Sequence, residues 1–152
     1  MTKDTPLSKR AKATRLTSAG WHFQRLACVV ERDMSARLAA HGLKIDHFVI
    51  LMTLAERDNV TQTQLGEGIS MPNYAITRAL DFLEEAGLVE RRKDAQSRRS
   101  HRVFLTQSGS DLMPKLFATV SDVNDAFLAP LTKDERASLA KLLVTLSASP
   151  DA

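Results

Sequence analysis

The sequence predicts a mostly α-helical fold that carries one small β-hairpin, and three observations support that class. Apolar residues recur every three or four positions in several long segments, which is the spacing of one helix face. Two Thr-x-x-Gln/Glu sequences, at Thr61 and Thr132, have the pattern of capping boxes that start helices. Residues 88–105 instead have the pattern of two short strands joined by a polar connection.

The N-terminal part is expected to form two helices. A single long helix is predicted from about residue 8 to residue 40, because its apolar residues keep a helical spacing. Gly42 follows, and it is predicted to end this helix in a left-handed conformation. Asp46 is predicted to be the N-cap of a second helix that runs to about residue 57.

The middle of the chain is expected to hold two helices joined by a turn. The Thr61 capping box starts a short helix, and a turn follows at residues 68–70. Pro72 suits the first position of the next helix, where the missing N–H costs nothing, and Gly87 stops that helix after residue 86. The apolar face of this helix, residues 72–86, is predicted to be buried: Ile76, Ala79, Leu80 and Leu83.

A hairpin and two further helices complete the prediction. The strands are expected at residues 88–93 and 101–105. A helix is predicted over residues 107–128, with Pro114 either kinking it or marking a second start. The last helix begins at the Thr132 capping box and carries an apolar stripe of leucines.

The order helix, short helix, turn, helix, hairpin is that of a winged helix-turn-helix, in which the second helix of the turn enters the major groove of DNA. The polar face near the start of helix 72–86 therefore becomes the candidate reading surface. Asparagine pairs well with adenine and arginine with guanine, while threonine and tyrosine contact bases or phosphates. The candidate residues are Asn73, Tyr74, Thr77 and Arg78.

Positive charge is concentrated in two places, although the net charge is only +3. Residues 1–15 form one basic segment and residues 88–106 form the other, so the rest of the chain is acidic. This distribution indicates a local contact with a polyanion, or else simply a solvated tail and loop. In the hairpin, arginines at the tip could enter the minor groove and the others could neutralise phosphates. These candidates are Arg91, Arg92, Arg98, Arg99 and Arg102.

At this point the sequence resembles the MarR family of winged helix-turn-helix transcriptional regulators. The run over residues 83–91 is similar to the end of that family's recognition helix, and residues 131–136 are similar to the start of its last helix. The family's wing motif is Asp-x-Arg followed by Leu-Thr, which Arg99 and residues 105–106 match. Ser97 stands where the family has the Asp that braces this arginine, so Asp94 or Ser97 itself would have to substitute.

The resemblance implies one MarR-type domain over residues 1–152 that forms a homodimer on a near-palindromic operator in double-stranded DNA. Residues of about 43–106 would form the DNA-binding lobe, and residues of about 8–40 and 107–148 would supply the dimerisation helices. The apolar stripes of those terminal helices independently call for a partner. A two-fold axis would set two recognition helices about 34 Å apart, one turn of DNA. Folding of the terminal helices back onto their own lobe is the alternative.

Family members often respond to small phenolic or aromatic molecules or to oxidants, so the resemblance implies a repressor tuned by such an effector. The candidate ligand residues are Trp21, His22, Arg25 and His47, since an aromatic surface with a cation suits an aromatic acid. Packing and surface polarity are the alternative for these four. Cys28 could be an oxidation sensor, since a thiolate near cations is reactive, but a buried, inert thiol is expected because it lies mid-helix beside the apolar stripe.

Two other functions stay open: a DNA-binding regulator without an effector, and a winged helix used for protein contact. An enzyme is not expected, because no nucleophile–base pair, phosphate loop or metal set is found. One cysteine excludes an intrachain disulfide and a Cys-rich metal site, and no cofactor is predicted. No apolar run reaches about 18 residues and the N-terminus lacks a signal-like core, so a cytoplasmic protein is expected.

Overall fold

The computed structural model describes residues 5–94 and 97–148, without the side chains of residues 97–99. The elements follow one another in the predicted order of helices around a single small sheet. Their bounds are α1 Pro6–Thr17, α2 Ala19–Ala39, α3 Ile45–Glu56, β1 Val60–Thr61, α4 Gln62–Gly68, α5 Asn73–Glu85, β2 Val89–Asp94, β3 Ser97–Leu105, α6 Gln107–Leu128 and α7 Lys133–Ser147. The mostly helical class with a small sheet is confirmed.

The hairpin belongs to a three-stranded antiparallel sheet in the order β1-β3-β2. The two-residue strand β1 was not predicted, because two residues are too few to show a period of two. Val60 pairs with Val103, so β1 covers the edge of β3 that faces away from β2. Strand β3 begins at Ser97 rather than at residue 101, so most of the predicted polar connection is strand.

The core lies within the lobe, by which we mean residues 43–106. Its buried side chains come from α3, α4, α5 and the sheet, and one residue from α2 and two from α6 join them. The predicted apolar face of α5 is buried in full. The core residues are Leu38, Leu43, Ile50, Leu51, Leu54, Val60, Leu65, Ile76, Ala79, Leu80, Leu83, Val89, Val103, Met113 and Leu116.

The prediction of one helix over residues 8–40 is wrong, because the chain breaks between α1 and α2. Ser18 has an extended backbone, with φ −82° and ψ 110°, and its hydroxyl accepts a hydrogen bond from the Trp21 N–H as an N-cap. His22 Nε2 donates to the Leu16 carbonyl at 3.0 Å, which satisfies an acceptor at the end of α1. The apolar spacing continues across the break, so periodicity did not detect it.

The assignment of Asp46 as an N-cap is also wrong. Lys44 is the N-cap of α3, and Asp46 lies in the first turn, where a negative charge suits the helix dipole. The Lys44 backbone N–H donates to Nδ1 of His47, at 3.2 Å. The imidazole of His47 therefore accepts the N–H of the N-cap residue, as the side chain of Gln64 does in the Thr61 capping box. The structure confirms the predicted capping boxes at Thr61 and Thr132.

The terminal helices, α1, α2, α6 and α7, leave much apolar surface uncovered. Helices α1 and α7 contain no buried residue, and α2 buries only Leu38. Pro114 lies inside α6 without ending it. Large apolar side chains exposed on these helices are Leu7, Leu16, Trp21, Phe23, Leu26, Val29, Phe117, Leu142, Leu143, Val144 and Leu146. Within the described residues, no helix is both long and apolar enough to cross a membrane.

Candidate nucleic-acid interface

Helix α5 has one buried face and one polar face, which the sequence predicted. Tyr74 is 71% exposed, and Asn73, Thr77 and Arg78 are exposed beside it. Gly87, at φ +70°, ends the helix in the left-handed region. Arg78 has no ion pair or hydrogen bond with any described residue, so its guanidinium is available to a ligand.

Thr77 is held in place by a residue that the sequence analysis missed. Nε2 of Gln62, at the start of α4, donates to Thr77 Oγ1 at 2.8 Å, and that hydroxyl donates to the Asn73 carbonyl at 2.9 Å. One lone pair of Thr77 is therefore already used. The Thr61 capping box explained Gln64 but gave no reason to single out Gln62, which is fixed only by the approach of α4 to α5.

A polar notch lies where α4, α5 and the hairpin meet. Its lining is Thr61, Gln62, Thr63, Asn73, Ser100 and His101. The notch joins the polar face of α5 to strand β3, so the two regions that were predicted separately form one continuous polar surface. Its contribution from α4 could have been anticipated, because the first helix of a helix-turn-helix crosses the DNA backbone.

The hairpin arginines differ in how far they are already engaged. Arg91 lies on the side of β2 that faces α5 and is bound by Asp81 and Glu84, at 2.7 and 2.6 Å. Arg92 points to the other side, where it pairs with Glu90 and lies 4.4 Å over the Phe104 ring. The side chain of Arg91 is 24% exposed and that of Arg92 is 61% exposed, so Arg92 is the more accessible cation.

Arg102 ties the hairpin to the turn before β1. Its Nη1 donates to the Asn59 carbonyl at 3.0 Å, and its Nε lies 3.2 Å from a carboxylate oxygen of Asp94. Asn59 itself has a positive φ of 60°, so the turn is compact. The carboxylate of Asp94 braces Arg102. The predicted bracing of Arg99 by Asp94 or Ser97, and the side chains of Arg98 and Arg99, lie outside what the structure describes.

His47 is buried between α3 and α5. Its ring stacks on Phe82 with centroids 4.2 Å apart and an interplanar angle of 10°. Burial lowers the pKa of His47, the charge of Lys44 lowers it further, and Asp46 opposes both. Beside it lies an open cleft of about 450 Å³ lined by Gly42, Lys44, Asp46, His47, Tyr74, Ala75, Arg78, Ala79 and Phe82.

The structure does not bring the four candidate ligand residues together within one chain. Trp21, His22 and Arg25 are exposed on the first turns of α2, and none of them lines the cleft beside His47. Residue 21 precedes the buried Leu38 by 17 residues, which is about 25 Å along a helix. Of the four, only His47 lines that cleft, which lies between α3 and α5.

The expectation that Cys28 is buried is wrong for the single chain. Its thiol is free and exposed on α2. Periodicity placed it beside an apolar stripe, but within one chain that stripe is itself uncovered: Leu26 and Val29 are each 44% exposed.

These features together define a winged helix-turn-helix protein: the two helices of the turn are α4 and α5, and the wing is the hairpin β2–β3. Comparison with known proteins shows which family of winged helix-turn-helix proteins the chain resembles. The MarR family model matches residues 43–101. The HTH-type transcriptional repressor Rv2887 of Mycobacterium tuberculosis is 29% identical over 127 residues, which are 84% of this chain and 91% of that protein.

Solved structures agree with this assignment. MarR of E. coli in its apo form has a TM-score of 0.79 at 25% identity, over 85% of this chain and 96% of that one. The M. tuberculosis protein Rv2887 in complex with DNA has a TM-score of 0.78 at 26% identity, over 87% and 99%. In both sequence and fold the chain is therefore similar to the MarR family of transcription regulators.

Proposed function

We propose that the protein is a dimeric repressor that binds a near-palindromic operator in double-stranded DNA by its sequence. The observation that carries this proposal is the free polar face of α5, where Arg78 has no partner among the described residues while the hairpin arginines Arg91, Arg92 and Arg102 are all engaged. A cation held free on a rigid helix suits a contact to a guanine.

Each part of the surface has its own role in this proposal. Asn73, Tyr74, Thr77 and Arg78 face the bases and nearby phosphates of the major groove. The notch at Gln62 and Thr63 lies where the first helix of the motif meets the backbone. The wing follows the adjacent groove, with Arg98 or Arg99 as the minor-groove residue and Arg92 near phosphates.

The terminal helices support a homodimer. Their exposed aromatic and aliphatic side chains include Trp21 at 47%, Phe117 at 49% and Leu142 at 62%. Exposed apolar side chains in this number are typical of an interaction site. Pairing α1, α2, α6 and α7 across a two-fold axis buries that surface and repeats the reading surface for the second half-site.

A second part of the proposal concerns control by a small aromatic acid. The cleft beside His47 has aromatic walls at Tyr74 and Phe82 and cations at Lys44 and Arg78. Such a mixture suits an aromatic carboxylate. Because Arg78 and Tyr74 also belong to the reading surface, an occupant of the cleft would compete with DNA for them. If no small molecule binds this cleft, the alternative applies, and the protein is a DNA-binding regulator without an effector.

Selection of bound sequences from random DNA tests the main proposal. We expect enrichment of a near-palindrome with half-sites one helical turn apart, bound by two chains. Fluorescence anisotropy on the enriched site, repeated with salicylate and with benzoate, then tests the effector. Affinity unchanged at millimolar acid would leave an effector-independent regulator. Enrichment of no sequence at all would favour a winged helix used for protein contact.

A further inference from the structure

Arg91 joins the wing to the recognition helix through one dense group of contacts. Its Nε and Nη2 donate to the same oxygen of Glu84, at 2.9 and 2.6 Å, and its backbone N–H donates to the other oxygen at 2.9 Å. Nη2 also lies 2.7 Å from Asp81, one turn earlier on α5. Both carboxylate oxygens of Glu84 are therefore committed to a single residue of β2.

The electrostatics agree with a persistent contact. Hydrogen bonds from the Arg91 side chain and backbone lower the pKa of Glu84, and the same carboxylate raises the pKa of Arg91. Asp81 and Glu84 lie on one face of the helix and would repel each other without the guanidinium. The planar guanidinium holds its donors in fixed directions, whereas the ammonium of a lysine is a point charge on a flexible stem, so the geometry of this contact favours arginine.

The position of this contact gives it a mechanical consequence. Residues 86–88 alone connect the end of α5 to the start of β2, and Gly87 within them has a positive φ. A hairpin joined to the helix by so short a glycine-containing link could tilt relative to it, within the limits set by the pairing of β3 with β1 and by the buried Val89 and Val103. Arg91 lies two residues into β2 and Glu84 one residue before the end of α5, so their contact closes a small ring across the link.

We propose that Arg91 is a positioning residue, which fixes the angle between the recognition helix and the wing so that both enter their grooves at once. It does not serve as a phosphate contact. The inference rests on the proposed DNA-binding function and deepens it. Its physical content is preorganisation: a wing already held in place loses less conformational freedom when DNA binds.

The two roles of Arg91 predict opposite signs for one substitution. Glu84→Gln removes a negative charge near DNA and loosens Arg91. If Arg91 were a phosphate contact, releasing it would raise operator affinity. If Arg91 is a positioning residue, affinity falls about three- to tenfold although the protein has become more positive. Glu85→Gln is the matched control, since it removes the same charge from the neighbouring position, and Glu85 has no partner among the described residues.

Arg91→Lys provides a second test that keeps the charge. We expect a loss of about tenfold in operator affinity, while the slope of log affinity against log salt stays the same. Loss of a phosphate contact, as with a glutamine there, would instead reduce that slope by about 1. Circular dichroism and thermal unfolding of each variant establish that folded protein is being compared.

Footprints separate positioning from a merely structural role. Hydroxyl radicals report the wing in the minor groove, and dimethyl sulfate reports α5 at guanines in the major groove. For Arg91→Lys we expect weaker wing protection and retained helix protection. Equal loss of both, or higher affinity for Glu84→Gln, overturns the inference. Wild-type protein that selects no DNA sequence would instead overturn the proposed function, so the two failures can be told apart.

Discussion

The lobe and the terminal helices use apolar residues in opposite ways. In the lobe, Ile50, Leu80 and Val103 are fully buried by other parts of the same chain. On the terminal helices, Trp21 and Leu142 are about half exposed or more. A single chain therefore completes the fold of the lobe but leaves the terminal helices open. In the proposed dimer, each chain would form its own reading surface, and the terminal helices of both chains together would form the frame that holds the two surfaces.

The largest expected effect comes from breaking the frame. Leu142→Asp places a charge on the exposed stripe of α7, where it would be buried in a dimer. We expect light scattering to show the mass of one chain at micromolar concentration. Operator affinity should fall by about 100-fold or more, because two linked half-site contacts become separate events.

Ala137→Asp is the matched control for that variant, because residue 137 is exposed on the opposite side of the same helix. It should leave the protein dimeric. A dimeric Leu142→Asp protein that binds its operator normally would show that α7 is not part of the interface.

Alanine substitutions at two glycines compare the packing against the lobe with the packing on a terminal helix. At Gly109, on the first turn of α6, an added Cβ would meet the Leu88 carbonyl oxygen at 2.2 Å and Leu105 at 2.9 Å. Gly109→Ala should therefore lower the free energy of unfolding by about 2–3 kcal/mol through overpacking against the lobe. At Gly20, on α2, nothing lies within 4 Å, so Gly20→Ala should raise stability by about 0.5–1 kcal/mol.

Urea unfolding measures the free energy of unfolding of both glycine variants. The result would contradict the comparison if Gly109→Ala were neutral, or if Gly20→Ala were the more damaging of the two. The second outcome would mean that a partner chain approaches Gly20 closely in the dimer, which would sharpen the picture of the interface.

Arg78→Ala tests whether base reading belongs to the lobe alone. We expect operator discrimination to fall by about 1–3 kcal/mol, since a bidentate contact to guanine has that value. The mass by light scattering should stay that of a dimer. Equal weakening on operator and random DNA would assign Arg78 to the phosphates instead.

The difference between local signals and contacts between distant elements explains what could be predicted from the sequence. Local signals sufficed for most of α5, because its apolar period and the stop at Gly87 act within a few residues, although Pro72 is the N-cap and not the first helical residue that was predicted. They also sufficed for the capping boxes at Thr61 and Thr132. The break at Ser18 was missed, since a serine cap inside an unbroken apolar pattern has no mark of its own. Contacts between distant elements were out of reach: no local pattern pairs Arg91 with Glu84 or Arg102 with Asn59.

The stability of the lobe should depend on pH through one buried histidine, His47. Nδ1 of His47 accepts the Lys44 N–H and the ring stacks on Phe82, so the folded lobe needs a neutral imidazole. Because the pKa of His47 lies below 6.5 in the folded state, the unfolded chain binds more protons as the pH drops past 6.5. The stability contributed by His47 is therefore complete above pH 6.5, is lost as the pH falls from there toward the folded pKa, and is level below it.

His47→Gln keeps an acceptor for the Lys44 N–H, as Gln64 does for Thr61, and cannot titrate. Urea unfolding of both proteins between pH 8 and pH 5 should show wild type losing up to about 1 kcal/mol relative to the variant, the smallest of these effects. A parallel pH dependence for wild type and His47→Gln would remove His47 from this role.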